Sequence, residues 1–81
     1  MKKTIWTPGH DWLCKLLREI REEAGITQVQ IADSLGKPQS FVSKYESGDR
    51  RLDLAELRDV CKALGVSLAE VVERFEKGFP K

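Results

Sequence analysis

Apolar residues recur along this chain at helical spacing, in five separate stretches. Trp12, Leu13, Leu16, Leu17 and Ile20 fall at i, i+1, i+4, i+5 and i+8, and Lys15, Arg18, Glu19, Glu22 and Glu23 fall opposite them. A broad apolar stripe backed by charge marks an amphipathic helix, here over about residues 9–24. Thr7-Pro8 suits its start, because proline in the first turn lacks only an N–H that would have no partner anyway. Gly25 closes it. The next helix begins at Gln28, since Thr27 with Gln30 makes a capping box in which each residue can satisfy the other's backbone N–H. Ile31, Ala32 and Leu35 share one side of it, and Gly36 ends it in the left-handed conformation.

Pro38 then opens a third helix as its first residue, running to Ser47 with Val42 and Tyr45 on its apolar side and Gly48 after it. Asp53 with Glu56, and Ser67 with Glu70, make two further capping boxes. The first opens a helix with Leu54, Leu57, Val60, Cys61 and Leu64 on one face, stopped by Gly65. The second opens a helix carrying Leu68, Val71, Val72 and Phe75, with Gly78 and Pro80 ending order. No stretch alternates like a strand, and there is no internal repeat or low-complexity linker. The pattern predicts an all-α fold.

Residues 27–48 hold the sharpest local signal: two short helices joined by a tight turn. On a wheel of about 100° per residue, Gln39, Ser40, Ser43, Lys44 and Ser47 share the polar side of the second helix, with Phe41 at the border. A polar face is most often only a solvated face. This one lacks the mixture of glutamate and lysine that such a face carries, and offers an amide, hydroxyls and one cation. Those groups suit base edges in a major groove: glutamine pairs with adenine N6/N7, lysine with guanine O6/N7, and serine with several partners. From this face alone, base reading and a bland surface both stand.

A chain of 81 residues makes one small domain whose thin core would gain from a second copy. The formal net charge of +1 argues against sequence-blind coating of a polyanion. Charge is uneven, however. Lys37, Lys44, Arg50 and Arg51 stand against Glu46 and Asp49, while residues 53–59 are acidic. A basic patch beside the third helix is what backbone phosphates require. Arg50 and Arg51 are phosphate candidates because a guanidinium clamps two oxygens; their alternative is pairing with nearby carboxylates. Lys2 and Lys3 fit a basic arm or a solvated terminus, the terminus being favoured, and Trp6 fits a clamp on the domain's outer edge.

Cys14 and Cys61 fall on apolar helical faces and read as small core residues. A metal site of His10, Cys14 and Cys61 rests on spacing too weak to adopt, so no metal or cofactor is expected. No apolar run is long enough for a membrane span or a signal peptide, which points to the cytoplasm. With one histidine, no nucleophile–base pair and no phosphate-binding glycine loop, the chain does not read as an enzyme, and no small-molecule ligand is evident.

Thr27, Gln28, Ile31, Ala32, Leu35, Gly36, Val42, Ser43, Glu46, Gly48, Leu57, Ala63, Leu64, Gly65 and Val66 together resemble the Cro/lambda-repressor type of helix-turn-helix domain, the XRE family. The resemblance runs from near Leu17 to about Phe75. It implies a compact five-helix lambda-repressor-like fold that binds duplex DNA, usually as a homodimer on a palindromic operator, in a small transcriptional regulator and most simply a repressor. It carries base contacts onto Gln39, Ser40 and Lys44, with Ser43 secondary. Phe41 departs from the small polar residue of some members, and either touches a thymine methyl or sugar or packs sideways on the domain; packing is favoured. Phosphate contacts are expected at Gln28, where helix amino ends favour anions, and at Lys37, Arg50 and Arg51.

The resemblance also implies an ion pair between Arg21 and Glu46, structural in role. Val66, Val71, Val72 and Phe75 offer more apolar surface than one small core needs, and are the dimer candidates. The expected organisation is an arm at 1–9, a helix-turn-helix domain at 10–77 with the motif at 27–48 and a C-terminal helix at 67–77, and a tail at 78–81. The alternative function is an adaptor or antitoxin-like module that uses this fold to bind protein, for which little chain remains outside the helices.

Overall fold

The computed structural model describes residues 7–79. They form five helices: α1 (Pro8–Glu23), α2 (Gln28–Leu35), α3 (Gln39–Ser47), α4 (Leu54–Leu64) and α5 (Leu68–Gly78). The helical unit is thus slightly longer at both ends than residues 10–77. Lys2, Lys3, Trp6 and Pro80 lie outside the described residues.

The helix ends follow local chemistry. Thr7 Oγ1 accepts the His10 N–H at 3.0 Å, with Pro8 in the first turn. Thr27–Gln30 and Asp53–Glu56 form complete capping boxes. Ser67 makes half of one: its hydroxyl accepts from Glu70 N–H, without the return bond. Pro38 is not the first helical residue. Its ψ of 157° is extended, it stands one position before α3, and no side chain caps that helix. Proline has no side-chain oxygen to offer the exposed N–H groups, so the amino end of α3 is left open. Gly36 has φ 68°, which turns the chain so that Lys37 N–H reaches Ala32 O at 3.0 Å.

The core lies where α1, α2, α3, α4 and α5 meet. Leu16, Leu17, Ile31, Val42, Tyr45, Val60 and Val71 are its largest fully buried members. Burying each such aliphatic side chain stabilises by roughly 1.5–3 kcal/mol. α2 packs on α3 and α4, α1 on α3 and α5, and α4 on α5. The first and last helices are also tied by polarity, because Trp12 Nε1 donates to Phe75 O at 3.0 Å. Gly78 sits against the Trp12 ring, where a side chain's Cβ would come within 2.5 Å of it.

Of the four dimer candidates, Val71 is 1 % exposed and belongs to the chain's own core. Val72, its neighbour on the helix, is 47 % exposed. Val66 and Phe75 are half-buried. His10 is buried with its Nε2 3.0 Å from Gly48 O and 3.9 Å from Cys14 Sγ. That nitrogen is engaged with a backbone carbonyl, pinning the start of α1 to the end of α3. Burial pushes the Cys14 and Cys61 thiols up, which disfavours their thiolate forms. Among the described residues no helix is long and apolar enough to cross a membrane.

Candidate nucleic-acid interface

The turn at Gly36 sets α3 against α2, and Val42 and Tyr45 root α3 in the core at 0 % and 2 % exposure. Helical spacing then sends the intervening side chains outward. Gln39, Ser40, Ser43 and Lys44 are all exposed, on one continuous edge. Ser47 is exposed too, but its hydroxyl donates to Lys44 O at 3.2 Å. The outward edge therefore offers one amide, two hydroxyls and one ammonium to a ligand.

Behind that edge runs a chain of hydrogen bonds. Arg21 Nε donates to Glu46 Oε2 at 2.7 Å, and its Nη2 to Glu46 Oε1 at 3.1 Å. The two side chains are 11 % and 4 % exposed, and the carboxylate holds the Arg21 pKa above its ordinary value. Arg21 Nη1 donates to Ile26 O at 2.8 Å, so α1, the α1–α2 loop and α3 are joined at one guanidinium. Gln28 Nε2 donates to Glu46 Oε1 at 3.0 Å, and Gln28 Oε1 accepts from Gln39 Nε2 at 3.2 Å. The ion pair that the resemblance implies is present. The bridging by Gln28 was not foreseen: two glutamines eleven residues apart carry no mark of contact in the sequence.

A second cluster closes the carboxyl side of α3. Arg50 makes a two-pronged bond to Glu56, Nη2 to Oε2 at 2.8 Å and Nη1 to Oε1 at 3.1 Å. The same guanidinium lies over the Phe41 ring, 4.7 Å from its centre, with Lys37 Nζ at 5.4 Å from that centre. Phe41 packs edge-on to Tyr45, ring centres 5.7 Å apart, so it packs on the domain and is gripped by two cations. The Arg50 hydrogen bonds, then the Asp53 backbone N–H, hold the Glu56 carboxyl down at about 2.

Arg50 is paired with a nearby carboxylate, the alternative that its sequence position also offers, and its Nη1 donates further to Arg51 O at 3.0 Å. Arg51 is exposed on the same loop, and Lys37 is exposed at the α2–α3 turn. Gln28 is half-buried, and its amide has a second N–H besides the one given to Glu46.

The helix-turn-helix family model matches residues 17–71. An HTH-type transcriptional regulator, y4dJ, of Sinorhizobium fredii (strain NBRC 101917 / NGR234) is 36% identical over 53 residues, covering 65% of this chain and 69% of that protein. Among solved structures, an XRE-family like protein from Pseudomonas syringae pv. tomato str. DC3000 is 43% identical with a TM-score of 0.81, covering 89% of this chain and 88% of that one. The restriction-modification controller protein C.Esp1396I, solved as a tetramer in complex with its natural 35 base-pair operator, is 25% identical with a TM-score of 0.86 over 94% of this chain and 100% of that one. The clp gene regulator ClgR from C. glutamicum is 25% identical with a TM-score of 0.79 over 98% of this chain and 100% of that one. This chain belongs to the XRE family of helix-turn-helix transcriptional regulators, the Cro/lambda-repressor-like group, and has that group's five-helix DNA-binding fold.

Proposed function

We propose that this chain binds duplex DNA sequence-specifically as a homodimer, laying α3 in the major groove, and acts as a small cytoplasmic repressor. The observation that carries the reading is the outward edge of α3. It bears groups that match base edges, and its first member, Gln39, is held in place by Gln28 rather than left to wander.

Gln39 and Lys44 are the main base readers, for adenine and guanine respectively. Ser40 contacts a base or phosphate, and Ser43 is secondary. Gln28 uses its remaining amide N–H on a phosphate, and Lys37 and Arg51 neutralise others. The binding unit is the segment 10–77, inside the helical span Pro8–Gly78. Val72, Phe75 and Val66 supply the dimer face, since Val71 is occupied in the core. The operator-bound assembly of C.Esp1396I supports DNA as the partner and more than one copy on it.

Selection from a random duplex pool at near-physiological salt, followed by sequencing, tests this. The expected outcome is an inverted repeat with half-sites about ten base pairs apart, centre to centre, because a two-fold dimer presents its two helices to one face of the duplex. Binding that enriches no sequence and fades smoothly as salt rises would overturn it.

A further inference from the structure

We infer that the pocket between the start of α1, the loop after α3 and α5 is a binding site for a small neutral aromatic molecule with one hydroxyl, held by the buried hydroxyl of Tyr45. The site lies on the core side of α3, away from its outward edge. The inference therefore holds whether or not that edge reads bases.

Tyr45 is 2 % exposed. Its ring packs edge-on to Phe41, yet among the described residues its hydroxyl makes no hydrogen bond. A hydroxyl taken out of water without a partner costs free energy, and folded proteins rarely leave one so. Burial, and then Glu46, pushes the phenol pKa up, so the group keeps its proton and can donate as well as accept.

Tyr45 stands in the wall of a pocket of about 210 Å³. Leu13, Leu17, Leu52 and Phe75 supply the apolar part of that wall. His10, also in it, has its Nε2 3.0 Å from Gly48 O. A buried water needs roughly two to four polar partners, and apolar walls supply none. An apolar cavity of about 150 Å³ is enough for benzene, so this pocket has room for one ring and a substituent. Charge around it is balanced. At Cys14, in the same wall, burial is the largest influence on the thiol, and Asp11 and Arg51 then push it in opposite directions. An ionised ligand would lose its water there and gain little field in return. A neutral ring with one hydroxyl meets the conditions of size, polarity and charge together. Its ring lies against the leucines and Phe75, and its oxygen exchanges a hydrogen bond with Tyr45. The occupant also touches the loop that carries Arg51 and the α5 residue Phe75, a phosphate candidate and a dimer candidate, which is where an effector would act.

The test titrates the full chain with phenol, toluene and benzoate, followed by backbone amide shifts in NMR spectra, and repeats this with Tyr45→Phe. Toluene keeps the ring without the hydroxyl, and benzoate adds a charge. Phenol should saturate a single site on the wild type, roughly five- to tenfold more tightly than toluene or benzoate. Its ring protons should show Overhauser contacts to the Leu13 and Leu52 methyls. In Tyr45→Phe the preference for phenol over toluene should fall below about twofold, with toluene bound as before. Without ligand, Tyr45→Phe should unfold in urea at or above the wild-type midpoint, because the lost hydroxyl had no partner. A lower midpoint would show that the hydroxyl has a partner in the free chain, a trapped water included, and overturns the inference. Phenol and toluene bound alike, contacts to other residues, or no saturation by phenol overturn it as well.

Discussion

At the scale of single residues, exposure and prior commitment sort the cations near α3. Lys44 is exposed on the outward edge of α3. Lys44→Ala should cost about 1–3 kcal/mol of specific binding and relax one base position, read by titrating duplexes that differ at that position. Equal losses on all of them would remove Lys44 from the readers. Because Arg50 is bound by Glu56 and stacked on Phe41, Arg50→Ala should leave the salt dependence of binding nearly unchanged. Arg51→Ala should lower the slope of log K against log salt by about one unit. The Arg50–Glu56 pair has its own signature in acid. Glu56 is held at about 2, below its ordinary 4.5, so the stability it lends is complete above pH 4.5 and is lost as pH falls toward 2. Thermal midpoints followed across that window should fall less steeply in Glu56→Gln than in the wild type.

At the scale of elements, the ends of helices were readable and the ties between them were not. Glycines at 36, 48 and 65 take positive φ where the apolar periodicity stops, and two of three capping boxes close fully. These are local signals, set within four residues of each other. Pro38 was misplaced by one position because proline fits both the first helical turn and the extended residue before it, and only ψ distinguishes them. The groove edge of α3 was legible because helical spacing alone separates it from Val42 and Tyr45. The Gln28 bridge was not, since it depends on the turn that brings together polar groups eleven residues apart, and the Arg50–Glu56 clasp was legible only as pairing with some nearby carboxylate. The Arg21–Glu46 pair binds α1 to α3 where both side chains are almost fully buried. Removing one partner strands a charge, so Arg21→Ala should destabilise by about 3–5 kcal/mol in urea unfolding. For a chain of 81 residues, whose whole stability is about 4–12 kcal/mol, that is a large share.

At the scale of the molecule, the proposed sequence-specific binding has to come from a small body. Its radius of gyration is 12.1 Å, and α3 contributes nine residues, of which Gln39, Ser40, Ser43, Lys44 and Ser47 are exposed. One such edge covers only a few base pairs, and a genome repeats any few base pairs many times. A second copy related by a two-fold axis doubles the reading. The exposed Val72, beside the half-buried Phe75 on α5, is apolar surface that the chain's own core leaves uncovered, although Val71 one residue earlier is wholly absorbed. Val72→Asp should therefore weaken self-association by roughly tenfold or more, because a carboxylate would be buried without a partner, measured by sedimentation across a concentration series. Its unfolding midpoint at high dilution should match the wild type, since the side chain points away from the core. On DNA the same variant should bind an isolated half-site as the wild type does and lose most of its affinity for the full inverted repeat. If it instead binds both duplexes as the wild type does, Val72 is no part of the dimer, and the two copies must meet through another face.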